Sequence, residues 1–442
     1  MRRGGMFAAT ADTQSLIPHE SDTGKVIEAK WKKWIQRESF KRLVEELMLR
    51  FYHSANISLR LSIHLFLHDT RASIALQKNP LISVTDITIS LPASRIFYLA
   101  GSATEWKSCF REQRVPPLAR ASLQLIDVMH DMSVLDDLHS EIDVALCYTA
   151  AVHGFWGQIW AFRESWKFYD VDVDKDSVHR LWLMTQQREL YQQVKTFEQA
   201  LVAKPVPQFE LLIIIELLLM ILHVSAEELP RFAGKYGEDA ASKAFVSLDR
   251  WSVTEQARKA VWHAGQVLRW AAVMPPAELR DFYAIAVYFA ILALWAFGHL
   301  STSTGSLNDS VNRNNRVSLD SNGKGTFIAL NSEETSSARS FIAGHRVTPV
   351  LTAVVSNRHS KPPRTRDSTY IQLDDPNAVL QMSRDLYRNN FPVEGEPLPP
   401  LVENIGNLMR DLGGLPHNRF SRCVSPMERG QPTAGSSNES GP

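Results

Sequence analysis

Two histidines one helical turn apart, His64 and His68 in HLFLH, have the i, i+4 spacing with which a helix presents two imidazoles to one metal ion. A zinc hydrolase of that pattern also needs a glutamate directly after the first histidine as general base, and that position is Leu65. The two therefore read as packed or surface histidines. Asp69 adds a neighbouring carboxylate without completing a ligand set.

The stretch DDLHSE brings Asp136, Asp137 and Glu141 close in sequence, and aspartate-rich helices hold magnesium in all-α terpenoid cyclases. Magnesium wants several carboxylates together with diphosphate oxygens in an octahedron. The second motif such enzymes carry is imitated only by NDSVNRNNR from Asn308, which lacks the later Ser and Glu. DDLHSE is read as an exposed acidic helix start, with a magnesium-dependent cyclase as the alternative class. A third cluster, NRHSKPPRTR, gathers Arg358, Lys361, Arg364 and Arg366. It suits a nuclear-import signal, a phosphate contact or a solvated linker equally. No phosphate loop, no G-x-S-x-G and no G-x-G-x-x-G after a strand occurs in the sequence, so NTPase, hydrolase and dinucleotide-binding chemistry have no support.

The elements that must position these residues are helical. With 442 residues and 44% apolar content, the chain can bury a sizeable core. Forty-eight basic residues balance forty-eight acidic ones, so no global field draws it to nucleic acid or anionic lipid. Cys109, Cys147 and Cys423 lie far apart without a C-x-x-C pair, which excludes a disulfide framework and points to a reducing compartment. MRRGGMFAATADTQS has no apolar run fit for a secretory signal.

Two apolar runs invite a membrane test. The first, LLIIIELLLMILHV, holds fourteen residues and Glu216, short of the roughly 20 that cross a bilayer. It is expected to be a buried core helix. The second, FYAIAVYFAILALWAFGHL, is long enough but alanine-rich and without a flanking Lys/Arg cluster, so no membrane partner is expected.

From about Asp22 to Leu300 apolar residues recur at three and four, and alternating β-branched runs are nearly absent, so the fold class is all-α. Prolines at 80, 92, 116–117, 205, 207, 230 and 275–276 mark helix boundaries. No repeat of solenoid length is visible. Residues 301–369 open with STSTGSLNDSVNRNNRVSLDSNGKG and read as a disordered low-complexity linker. A C-terminal helical segment is expected over 370–423, packing on the domain and stopped at Gly413-Gly414. A polar tail covers 424–442.

Within EAKWKKWIQRESFKRL, residues Ile27, Trp31, Trp34, Ile35 and Leu43 fall near one helix face, with Lys32, Lys33, Gln36, Arg37 and Lys41 opposite. Both indoles are thus expected in a core. Glu38 and Arg42, four apart, are expected to pair along the helix for about 0.2–0.5 kcal/mol.

These residues carry a resemblance. W-x-x-W-I-x-x-E-S-x-x-R-L, with Trp31, Trp34, Glu38 and Arg42, resembles the signature of the fungal-specific transcription factor domain, the middle homology region. HLFLHDTRASIAL and then SLPASRIFYLAGSATEWKSCF follow, with the Leu91-Pro92 pair and Trp106 where the family has a Leu-Pro and a later tryptophan. SEIDVALCYTAAVHGFWGQIWAFRESWKFYD and ARKAVWHAGQVLRW are similar to further blocks, and PPLVENIGNLMRDLG to the closing segment of members with C2H2 fingers.

The resemblance implies an all-α regulatory domain over 1–300 of a nuclear zinc-finger transcription factor, acting in RNA polymerase II transcription by binding and switching and not by catalysis. It implies zinc only in the fingers of full-length members, and the sequence contains neither a C2H2 pattern nor a six-cysteine cluster. DNA contact is then expected only through a finger domain outside this chain, which is read as a fragment or a finger-less co-regulator. Proteins of the transcription machinery are expected partners. The aromatic stretch HGFWGQIWAFRESWKFY motivates a small-molecule effector. Residues 45–62 depart from the family pattern, since removing them joins KRLV to IHLFLHDTRAS; a retained intron or a genuine insertion both explain this.

Overall fold

The computed structural model describes residues 16–42, 62–112, 123–136, 138–169, 178–206, 208–309, 327–345, 347–353, 370–391 and 397–413. The segment 45–61, Asp137 and the basic cluster 357–366 lie outside them. Fifteen α-helices and three short strands are described, so the architecture is all-α with one small sheet.

The centre is built from helices with no polar face. α8 (Phe209–His223) buries every residue from Leu211 to His223, and α12 (Asp281–Asp309) buries most of its first five turns. A helix apolar all round must be surrounded. α11 (Glu255–Ala272) packs against both of them, α6 (Val144–Tyr169) and α7 (Val178–Val202) cover α8, and α2 (Ser62–Leu76) lies on α6. The stretch 281–301 is long and apolar enough to cross a membrane by length and composition, and 83% of its most apolar window is buried inside the molecule.

The C-terminal end of α8 shows how a buried helix terminus is satisfied. Its last carbonyls have no intrahelical partner. Arg163 of α6 donates to the carbonyls of Ile221 and Val224, both at 2.7 Å. Gln187 of α7 donates to Leu222 O at 2.8 Å, and the Trp251 indole to His223 O at 2.9 Å.

The expected linker over 301–369 differs from the structure in two places. α12 continues to Asp309, and residues 327–352 form β1 (Phe327–Ala329), α13 (Ser336–Ile342) and β2 (Thr348–Thr352). β1 pairs parallel with β2, from Phe327↔Thr348 to Ala329↔Val350, and β2 pairs antiparallel with β3 (Tyr370–Gln372). Two glycines let this sheet reach the helices. A Cβ on Gly265 of α11 would collide with the carbonyl of Leu330, and one on Gly298 of α12 with that of Leu373.

α14 (Pro376–Asn390) then packs on α12. Its Tyr387 hydroxyl donates to Ala284 O at 2.7 Å, and the Asn390 side chain accepts from Leu279 N at 2.9 Å. α15 (Pro400–Gly413) packs on α14 and ends at Gly413. Pro230 departs from the expected boundaries, since it is the third residue of the short α9 (Glu228–Phe232). The first turn of a helix needs no N–H there, so proline is tolerated.

Candidate functional site

The signature residues assemble into a second, smaller core. α1 (Lys25–Arg42), α3 (Arg95–Tyr98) and α4 (Ala103–Glu112) bury Ile27, Trp34, Ala93, Phe97, Ala103 and Trp106 together. The rings of Trp34 and Trp106 lie 5.4 Å apart, and Phe110 meets each at 6.1 Å and 5.2 Å, edge-on. Glu38 is buried, and its carboxylate accepts from the backbone N–H of Ala93, immediately after Leu91-Pro92. Glu38 follows Trp34 by four residues, so it points into the same subcore, and its expected pairing with Arg42 falls on a side chain outside those described. Trp31 packs against this subcore as well, but half-buried, where Trp34 is only 2% exposed.

The Leu91-Pro92 segment joins this subcore to the main one. Ala93 bridges Ile142 antiparallel, Asp143 donates to Pro92 O at 3.0 Å, and Ser94 donates to Glu141 O at 2.7 Å. Leu91 itself is buried in the main core.

A second constellation, not singled out in the sequence, lies between α7, α8 and α11. α7 contributes Gln187, Tyr191, Lys195 and Glu198 at successive turns of one face; α8 contributes Glu216 and His223; α11 contributes Gln256 and His263. His263 Nδ1 donates to Glu216 Oε2 at 2.6 Å, with both side chains almost wholly buried. Lys195 forms an ion pair with Glu198, and the Glu216 carboxylate acts on both of them through its charge. One level away, His223 Nδ1 donates to Gln256 Oε1 at 2.6 Å, and Gln187 donates to the same oxygen at 3.0 Å. The two imidazoles lie near-parallel with centroids 6.1 Å apart, and the Tyr191 ring sits 5.4 Å from His223 and 5.7 Å from His263.

Burial governs the electrostatics of this network. It holds both imidazoles neutral, down to about 3, because a charged ring loses its hydration. It pushes Glu216 up to about 7, against the pull of Lys195. It also pushes Glu198 up to about 7, helped by the neighbouring Glu216 carboxylate. Burial pulls Lys195 down, but the Glu216 and Glu198 carboxylates outweigh it and hold the ammonium above its ordinary range. The arrangement can therefore hold a proton in the interior near neutral pH. Each imidazole has Nδ1 fixed by an acceptor, and neither Nε2 has a hydrogen-bond partner among the described residues.

The other candidates do not converge. His64 is half-buried and His68 exposed, and among the described residues no group of three or more His, Cys, Asp or Glu is placed to hold a metal. Asp69 accepts instead from Leu81 N and Ile82 N, at 2.8 and 3.0 Å, and fixes that loop. The reading of DDLHSE as an acidic helix start is corrected: Asp136 ends a 3-10 turn and pairs with Lys204 at 2.5 Å, and Glu141 is buried beside the Ala93 bridge. Of the aromatics of HGFWGQIWAFRESWKFY, Phe155, Trp156 and Phe162 are buried in the core and Phe168 is exposed. Phe155 packs edge-on against Phe197 at 5.5 Å, and the buried Trp156 indole donates to Ser73 Oγ at 2.7 Å.

No family model, no curated protein and no solved structure matches the chain.

Proposed function

We propose that this chain is the helical regulatory domain of a fungal zinc-finger transcription factor, working in the nucleus by binding and switching. The observation that supports the reading is the subcore of Trp34, Glu38 and Trp106 closed over Leu91-Pro92. Trp34 and Glu38 of α1 and Trp106 of α4, distant in sequence, meet in one subcore beside the Leu91-Pro92 segment, which is what a shared structural signature requires. DNA contact and zinc belong in this proposal to a finger domain outside the chain. The partners are proteins of the transcription machinery, with a small-molecule effector as a further ligand.

The test is a reporter assay in a filamentous fungus with the chain fused to a heterologous DNA-binding domain. The expected result is a several-fold change in transcription relative to that DNA-binding domain alone, lost when Trp34→Ala opens the subcore. Unchanged transcription from a stably expressed, nuclear fusion would overturn the proposal. Thermal-shift profiling against a metabolite library tests the effector, and a flat profile removes it.

A further inference from the structure

α14 and α15 each bury one apolar face, which includes Leu386 on the first and Ile405 and Met409 on the second. Beside that contact each helix carries a polar face at helical spacing. Arg384, Asp385 and Arg388 lie on α14, and Glu403, Gly406 and Arg410 on α15. These six line one groove with a cavity of about 170 Å³, and Leu398 and Val402 give it an apolar wall. A cavity of about 150 Å³ is enough to hold a molecule the size of benzene.

The charges in the groove do not neutralise one another. Among the described residues, none of the three guanidiniums forms an ion pair with a carboxylate, and the Arg388 guanidinium has no hydrogen-bond partner at all. Arg384 donates to the side-chain oxygen of Gln381 at 3.1 Å and Arg410 to that of Asn407 at 3.0 Å, both uncharged amides, and Asp385 accepts from Gln381 at 3.0 Å. A guanidinium has five N–H donors in a planar fork that matches a carboxylate, so all three arginines keep donors for a ligand. Three cations against Asp385 and Glu403 leave the lining with one positive charge, which suits a single negative charge and disfavours a second.

Gly406 keeps the groove clear. Glycine within a helix is otherwise unfavourable, and here an added Cβ would meet nothing within 4 Å. A larger side chain at this position would enter the groove without disturbing the packed faces.

We infer that the groove between α14 and α15 is a binding site for a small organic monoanion, its carboxylate held by Arg388 together with Arg384 and Arg410 and its apolar body lying against Leu398 and Val402. The site goes beyond the regulatory reading and stands without it, since the reporter assay can fail while binding to the isolated chain succeeds.

The experiment is a ligand-observed NMR titration of the full chain with benzoate and hexanoate. Benzamide serves as the uncharged counterpart and inorganic phosphate as the anion without an apolar body. The expected result is saturable binding of at least one of the two carboxylates, tighter than either control by about tenfold and weakened about tenfold in Arg388→Ala, the order of one lost charge-assisted hydrogen bond. Gly406→Leu should abolish saturation while melting at or above the wild-type temperature, because leucine favours the helix. Absence of saturable binding by both carboxylates overturns the inference. So does binding that either variant keeps in full, or benzamide or phosphate binding as tightly as the carboxylates.

Discussion

At the scale of single residues, tryptophans that look equivalent in the sequence have different energetic roles. Trp31 and Trp34 both sit on the apolar stripe of α1, but only Trp34 is enclosed, with Phe97, Trp106 and Phe110 around it. Trp34→Ala should cost about 3–5 kcal/mol, the range for emptying a packed aromatic site. Trp31→Ala should cost less than half of that, since its ring is half-buried and its indole N–H has no hydrogen-bond partner among the described residues. Urea denaturation of both variants checks this, and equal losses would contradict the burial difference. Glu38 and Glu216 carry the same lesson for charge. Each follows the apolar periodicity of its helix, so each enters the core and must find donors there: Ala93 N–H for Glu38, His263 for Glu216. A lone glutamate inside LLIIIELLLMILH was a signal that something polar had to face it, but the sequence does not say which of fourteen histidines does.

At the scale of elements, close approach of helix and sheet depends on two glycines. Alanine in place of glycine inside a helix ordinarily stabilises by about 0.5–1 kcal/mol. At Gly157 of α6, where nothing lies within 4 Å of the added methyl, that gain is expected. At Gly298 the sign should reverse to a loss of about 1–3 kcal/mol or more, because the methyl meets the backbone carbonyl of Leu373, which cannot rotate away. Thermal unfolding of the two variants side by side checks the prediction, and stabilisation by both would mean that the sheet does not press on α12. The same region marks the limit of sequence reading. Helices announced themselves through local periodicity over fifteen residues and more. The strands are three to five residues long, pair across distant positions, and are embedded in Ser/Asn-rich sequence that dominates any compositional window. The α7–α8–α11 network was hidden for a related reason, since its members come from three helices and no local spacing links them.

At the scale of the whole molecule, buried ionisable groups on different helices give stability a defined pH profile. His153, His223 and His263 are held by burial at about 3, against 6.5 in an exposed ring. An unfolded chain takes up protons on these rings below pH 6.5 and the folded chain does not, so their contribution is complete above 6.5 and lost as pH falls toward 3. The glutamate pair has the opposite sign. Its folded pKa values, raised to about 7 from 4.5, mean that the folded chain keeps a proton that the unfolded chain has released, a contribution lost as pH rises through 7. Below pH 6.5 the three imidazoles outnumber the pair, so stability falls with acid; above 7 they no longer titrate in either state and the pair alone acts, so stability falls with base. The melting temperature should therefore peak between about pH 6.5 and 7. Replacing Glu198 by Gln should flatten the alkaline limb and leave the acid limb in place, whereas a His153→Gln variant that folds should shallow the acid limb only. A single melting series from pH 5 to 8.5 on the three proteins separates the two limbs, and a profile that keeps rising to pH 8.5 in the wild type would show that Glu198 and Glu216 are both ionised within the fold.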